Sequence, residues 1–246
     1  MAGKGQIKAA LFDWDLTLSR VLGEASPYER LSALFRSIGL DYTPHEILAA
    51  IAEVRAQQAA EGGPANGERP QTQRSITRFY RQILKLLGPE PELEQLNRLY
   101  DAYALLPVVL FEDALETLRH LHERGIRLGI ISNHSRAIRG VIARYLGAYI
   151  PPRHIVISQE ERVYKPAKTI FRRAATRMGV PAEQCLYVGD TLSVDAVGAV
   201  QQGSYGLGLW LDRGEEEPTP PLPSRVHRIT SLEQVLDFVN GEHLSA

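Results

Sequence analysis

The chain is nearly without cysteine: Cys185 stands alone in 246 residues. A single thiol excludes an intramolecular disulfide and fits a reducing compartment. Cys185 sits in an apolar run, which reads as a buried structural thiol. No cysteine–histidine cluster with metal-ligand spacing is present. Neither charge is in excess: 28 Lys and Arg against 29 Asp and Glu leave a formal net charge of −1. That balance argues against a nucleic-acid or membrane-surface binder acting through bulk charge, so any basic site is local. No run is long and apolar enough to span a bilayer, and Met1 to Lys8 carry no apolar signal region, so a cytoplasmic protein is expected. No internal repeat is visible. What the chain does have is core material: 44% hydrophobic residues suffice for one large domain, or a core with a smaller attachment.

The stretch that organises the rest is Ala10-Leu11-Phe12-Asp13-Trp14-Asp15-Leu16-Thr17-Leu18. The apolar run from Ile7 to Phe12 reads as a buried strand. It ends on two carboxylates one residue apart, which share a side if the strand continues. Two like charges that close resist joint ionisation unless a cation lies between them. The pair therefore reads as a metal site or an acid/base pair, with two turn aspartates as the plainer alternative.

From Ser19 to about Leu105 the pattern is helical, with no convincing strand. Tyr28, Leu31, Leu34, Phe35 and Ile38 recur at helical spacing and stop at Gly39. Thr43-Pro44-His45-Glu46 is a capping box opening a helix that runs to about Ala60. Gly62, Gly63, Pro64, Gly67 and Pro70 mark a loop. Further helices are expected over 71–87 and 90–104. The first of these carries Arg74, Arg78, Arg81 and Lys85 on one face, either a basic wall for an anionic substrate or a solvated stripe opposite Ile76, Phe79, Ile83 and Leu87.

From Pro107 helix and strand alternate. Helices are expected over 112–124, 136–145, 166–178, 195–202 and 231–239, and strands over 126–131, 155–158, 185–188 and 205–211. Residues 215–223 read as a surface loop. Such alternation implies a doubly wound parallel sheet, Rossmann-like, in an α/β protein. The expected division is a core of residues 1–18 and 105–246 with an all-helical second domain over 19–104.

In such sheets ligands bind outside the carboxyl ends of the strands. Those ends supply Asp13 and Asp15, then Ser132 and Asn133, then Lys165, then Asp190 with Asp195 five residues on. Taken singly, each has a plain reading: Ser132 as a helix cap, Lys165 as a surface lysine, Asp190 and Asp195 as first-turn acids. His134 reads as a substrate contact or an ordinary loop histidine, and Trp210 as core. Taken together they combine carboxylates, a hydroxyl and a lysine in a set suited to a hard divalent cation. Magnesium prefers oxygen, takes one or two carboxylates and shares its shell with phosphate.

Asp13-Trp14-Asp15-Leu16-Thr17, Ser132-Asn133, Lys165-Pro166 and Gly189-Asp190-Thr191-Leu192-Ser193-Val194-Asp195 resemble the four ordered motifs of the haloacid dehalogenase superfamily. The helical insert after the first motif resembles the cap of many of its phosphatases. The resemblance spans almost the whole chain and implies phosphoryl transfer through an aspartyl-phosphate. On it, Asp13 is the nucleophile and Asp15 the general acid and base. Mg2+ is held by Asp13, the Asp15 carbonyl and Asp190. Ser132, with main-chain N–H groups near Trp14 and Asn133, holds the phosphoryl oxygens. Lys165 offsets charge, Asp195 orients Lys165 or metal-bound water, and Thr17 steadies the first loop. Asp15 favours phosphate esters, since the dehalogenating branch has tyrosine there. Leu16 departs from the usual glycine, and Lys168 from a common second proline. The implied partner is a small phosphorylated metabolite such as phosphoglycolate or a sugar phosphate. A phosphomutase and a non-catalytic metabolite-binding regulator are the alternatives. Substrate identity and oligomeric state are not legible.

Overall fold

The computed structural model describes residues 6–23, 26–61, 72–88, 90–214 and 221–240. The glycine- and proline-rich loop at 62–70 and the acidic start of the 215–223 loop lie outside them.

The sheet grows around β1 (Ala9–Phe12), whose four residues are all buried. Its neighbours are β4 (Arg127–Ser132) and β6 (Cys185–Gly189), each parallel to it. β5 (Ile155–Ile157) lies outside β4, while β7 (Leu207–Leu211) and β8 (Val226–Ile229) continue beyond β6. The order β5-β4-β1-β6-β7-β8 is parallel throughout. Strands covered on both faces need no polar alternation, which is why β1, β5 and β6 are continuous apolar runs. β8 was not expected. Only Val226 and Ile229 of its four residues are buried, so it carries too little pattern to announce itself.

The helices of this part are α5 (Glu112–Glu123), α6 (Ile138–Leu146), the single-turn α7 (Ser158–Glu161), α8 (Lys168–Met178) and α9 (Val235–Asn240). Residues 198–202 close the expected 195–202 helix as a π-helical turn. Leu11, Ile131, Val156, Phe171, Tyr187 and Tyr205 belong to one buried cluster. Phe171 meets Tyr187 and Tyr205 edge-on, with ring centroids 5.5 and 5.6 Å away. This T-shaped geometry adds to the burial of apolar area and fixes ring orientation.

The chain forms two compact units. One comprises residues 1–20, 109–133 and 139–246, the other residues 21–108 and 134–138. The second holds α1 (Pro27–Arg36), α2 (Pro44–Ala60), α3 (Gln73–Leu87) and α4 (Leu93–Tyr103). Its core gathers Leu34, Phe35, Ile47, Val54, Ile83 and Leu96. The expected box at Thr43 and Glu46 is formed, and Thr72 with Ser75 forms a second one that starts α3 at Gln73 rather than 71. Along α3, Arg74, Arg78 and Lys85 are exposed and Arg81 is half-buried. Lys85 pairs with Glu90 at 3.1 Å.

The expectation of no strand after Leu18 is corrected. β2 (Ser19–Val21) pairs with β3 (Val108–Leu110), and the chain passes between the units along these segments. Three-residue strands are shorter than one readable period, so periodicity does not reveal them. Among the described residues no helix is long and apolar enough to cross a membrane.

His154, just before β5, is buried and its Nδ1 donates to the Leu128 carbonyl at 3.0 Å. Burial disfavours the imidazolium and lowers its pKa below 6.5. A depressed folded-state pKa contributes stability that is present above pH 6.5 and lost as pH falls through the window beneath it. His154→Gln is therefore expected to melt with a shallower decline than the wild type between about pH 7 and 5, compared by thermal unfolding. Parallel declines would contradict this.

Candidate active site

β1 ends by handing its ladder on: the Asp13 N–H donates to the Val188 carbonyl at 2.9 Å, beside the end of β6. The chain then turns sharply. The Trp14 carbonyl accepts from the N–H groups of Leu18 and Ser19 at 3.1 and 3.0 Å and from the Ser19 hydroxyl at 3.3 Å. The Leu16 N–H returns to the Ser19 carbonyl at 2.7 Å. Closing this loop forces Leu16 to φ +59°, in the left-handed region. The unusual Leu16 therefore keeps the backbone a glycine would adopt freely, and bears the strain. Asp15, half-buried, lies inside this closed turn. Trp14 is fully buried, its ring 6.4 Å from Tyr145.

Lys165 reaches into the same place from the loop after β5. Its side chain is 2% exposed, and its ammonium meets Asp13 Oδ1 at 2.8 Å, Asp195 Oδ1 at 2.8 Å and Tyr187 Oη at 2.9 Å. An ammonium has three donors, and here each finds an acceptor. Tyr187 passes the contact on, its hydroxyl donating to the Ile131 carbonyl at 2.7 Å. Burial works against the Lys165 charge, but the two carboxylates more than offset it and raise the pKa, so the cation persists. Burial, with nearby carboxylates, also keeps the Tyr187 hydroxyl protonated.

The backbone of Lys165 is fixed by Asn133, which follows β4. Asn133 Oδ1 accepts from the Lys165 N–H at 2.7 Å, and its Nδ2 donates to the Lys165 carbonyl at 3.0 Å. Ser132 ends β4, two residues past Ile130, the register partner of Phe12. It is buried.

β6 delivers the third segment. Asp190 follows Gly189, and its carbonyl accepts from Trp210 Nε1 at 3.0 Å, so Trp210 anchors main chain as well as filling space. Asp195 turns back onto this strand end. Its Oδ2 accepts from the Thr191 N–H at 3.0 Å while Oδ1 receives Lys165. A Cβ on Gly189 would overlap the Asp195 carboxylate, which is what the glycine permits.

Carboxylate oxygens of Asp13, Asp190 and Asp195 all lie within 4.8 Å of one another. One ammonium faces three carboxylates in a largely buried place. Burial and the like charges of Asp13 and Asp190 resist ionisation of Asp195, against the pull of Lys165. An all-oxygen, charge-deficient set of this kind fits a hard divalent cation. Both Asp195 oxygens already accept N–H groups, which leaves Asp13 and Asp190 as the side chains suited to direct coordination.

The sequence-derived candidates Asp13, Lys165, Asp190 and Asp195 are thus brought into one cluster, with Asp15 in the adjoining turn and Asn133 clamping the lysine. Thr17 differs from expectation. Its buried hydroxyl has no hydrogen-bond partner among the described residues, so its side chain does not tie the first loop. Its carbonyl instead accepts from Arg213 Nη2 at 3.3 Å. His134 is buried, its ring 5.5 Å from that of Tyr103. Tyr187 was missed from sequence, since a tyrosine in an apolar run carries no distinguishing signal, and Asn133 was expected to act through its main-chain N–H rather than as a side-chain clamp.

A doubly wound α/β sheet with acidic groups and a buried lysine converging at its strand ends is the arrangement of an α/β enzyme whose site lies outside the carboxyl ends of its strands. Residues 7–203 match the family model of haloacid dehalogenase-like hydrolases. The chain belongs to that family, as an enzyme of its phosphatase branch. It is 29% identical over 221 residues to the glyceraldehyde 3-phosphate phosphatase of Methanopyrus kandleri, covering 87% of this chain and 88% of that one. It is 28% identical over 250 residues to the ribulose-1,5-bisphosphate 5-phosphatase of Halopiger xanaduensis, covering 94% and 99%. A magnesium-bound HAD-hydrolase of Bacillus subtilis, YfnB, shares the fold with a TM-score of 0.70 at 19% identity, over 96% of this chain and all of that one.

The strained Leu16 offers a direct check on the turn. Leu16→Gly relieves the left-handed strain while losing apolar contact and adding unfolded-state freedom, so stability is expected to change by less than about 1 kcal/mol. Leu16→Val places a β-branched residue there and should cost roughly 1–3 kcal/mol. Urea unfolding measures both, and equal losses would contradict the strain.

Proposed function

We propose that the protein is a magnesium-dependent phosphatase acting on a small phosphorylated sugar through an aspartyl-phosphate. The supporting observation is the meeting of Asp13, Asp190 and Asp195 around the Lys165 ammonium. The sugar-phosphate class is supported by the two relatives, each of which is a phosphatase of a phosphorylated sugar by name.

In this reading a carboxylate oxygen of Asp13 attacks phosphorus, and the ester bond to the leaving oxygen breaks. Asp15 gives its proton to that oxygen, releasing the alcohol. Asp15, now ionised, takes a proton from a water that attacks the aspartyl-phosphate. Inorganic phosphate leaves and both aspartates return to their starting states. Lys165 stays charged throughout, bound to Asp13 Oδ1, and offsets negative charge on the nucleophile and the transferring group. Ser132 and the N–H groups near Trp14 and Asn133 hold the phosphoryl oxygens. Asp13, Asp190 and the Asp15 carbonyl would hold Mg2+, which supplies charge neutralisation and alignment when bound. Asp195 keeps Lys165 in place. The helical unit is assigned the role of cap, selecting the substrate, with residues 19–104 as that domain and 1–18 with 105–246 as the catalytic core. The buried lone thiol of Cys185, its pKa pushed up to about 12 by burial, is in keeping with a cytoplasmic setting.

Purified protein with Mg2+ is expected to release inorganic phosphate from members of a sugar-phosphate panel, and chelation to abolish the release until Mg2+ is restored. Asp13→Asn should lower kcat by roughly 10³-fold or more. Full activity in Asp13→Asn, or no release from any member by the wild type, would overturn the proposal.

A further inference from the structure

The turn that carries Asp15 is closed on its inner side by its own hydrogen bonds, but its outward carbonyls are held from elsewhere in the same unit. The Leu18 carbonyl accepts from the Phe111 N–H at 3.0 Å, and the Thr17 carbonyl accepts from Arg213 Nη2 at 3.3 Å. Arg213 follows β7, and its place is set by the residue before it. Asp212 takes Arg228 Nε on one oxygen and the Gly214 N–H on the other, each at 3.0 Å, and gives its own N–H to the Ile229 carbonyl at 2.9 Å.

The guanidinium is fixed on three sides. Asp113, in the first turn of α5, receives Nη1 on Oδ2 at 3.0 Å and Nη2 on Oδ1 at 2.9 Å. Such a two-point fork sets orientation as well as distance. The Phe111 ring lies beneath the cation, 4.0 Å from its centroid. Asp113 is itself tied, its Oδ2 also accepting from the Leu232 N–H at 2.9 Å. So β7, the start of α5 and the segment before α9 converge on one carbonyl, two residues past Asp15. Two donors of this assembly reach the turn, the Phe111 N–H at the Leu18 carbonyl and Arg213 Nη2 at the Thr17 carbonyl. Planar, always charged and held at both ends, Arg213 is built to hold a position.

We propose that Arg213, braced by Asp113 and Phe111, is a positioning residue for the turn that presents Asp15, setting how well that carboxyl reaches the leaving oxygen. The inference rests on the acid/base reading of Asp15 given above and adds a residue outside the four motifs. Its weight comes from the steep dependence of proton transfer on geometry, where a misplacement of about 1 Å can cost about 100-fold. A loosened turn would leave Lys165 and Ser132 in place and weigh most on the step that protonates the leaving group, with a smaller loss where the turn's main chain meets phosphate and metal.

The discriminating experiment compares kcat/KM for p-nitrophenyl phosphate and phenyl phosphate in the Mg2+-loaded enzyme. The first ester needs little help from an acid, and the second, with its more basic phenolate, needs more. Wild type, Asp15→Asn, Arg213→Met and Asp113→Asn are measured side by side, with inhibition by inorganic phosphate as a binding control. Arg213→Met is expected to raise the ratio of the two constants about tenfold, with a much smaller change in phosphate inhibition, and Asp15→Asn to raise it further. Asp113→Asn weakens the brace while keeping the guanidinium, so it should move the ratio the same way by less, and it carries the test if Arg213→Met does not fold. If Asp15→Asn raises the ratio while the other two lower both constants equally or leave both unchanged, the positioning role is wrong and the acid reading stands. If Asp15→Asn itself leaves the ratio unmoved, the acid reading is wrong and this inference goes with it.

Discussion

A buried ammonium is tolerated only where every one of its donors is met, and the Lys165 ammonium sets that condition for the whole site. Its acceptors come from three places: Asp13 at the end of β1, Tyr187 within β6 and Asp195 in the helical turn after it. Each is fixed in turn. Tyr187 is held by the Ile131 carbonyl of β4 and by Phe171 and Tyr205 around its ring. Asp195 is held by the Thr191 N–H and fits only because Gly189 has no side chain. Asn133 grips the lysine backbone from both sides. The parallel sheet is the frame that brings these strand ends to one edge, and the packing behind them lets the ammonium settle in one geometry.

The same arrangement is electrostatically incomplete. A single buried cation among Asp13, Asp190 and Asp195 leaves excess negative charge where water cannot screen it well. On the proposed reading, a divalent ion would make good that deficit. Lysine and metal would then divide the work, the lysine permanent and internal, the metal exchangeable and open to substrate oxygens. Phosphoryl transfer asks for little covalent chemistry beyond a nucleophile and much charge placement, and the site is organised accordingly.

Much of this was legible in the sequence because its signals are positional. Asp13, Ser132 and Asp190 each follow an apolar run, and the right-handed crossovers of a parallel sheet oblige such positions to converge. What stayed hidden depends on register or on side chains acting across elements. β8 buries only Val226 and Ile229, and the β2–β3 ribbon is too short to show a period. Tyr187 faces Lys165 by virtue of its place opposite Leu11 in the ladder, which no local pattern encodes. The fork between Asp113 and Arg213 joins residues 100 apart in the chain. Thr17 shows the converse error: a hydroxyl in a tight turn invites a hydrogen bond that is not formed among the described residues. Leu16 shows that a residue other than glycine can hold a left-handed turn position, provided the surrounding hydrogen bonds dictate φ.

The proposed magnesium site requires that a divalent ion join the lysine to balance Asp13, Asp190 and Asp195. Isothermal titration calorimetry of Mg2+ into the wild type and Asp190→Asn, without substrate, measures this most directly. The expected result is saturable binding of one ion per chain to the wild type and none to the variant. Absence of saturable binding in the wild type, or equal binding by both proteins, would contradict it.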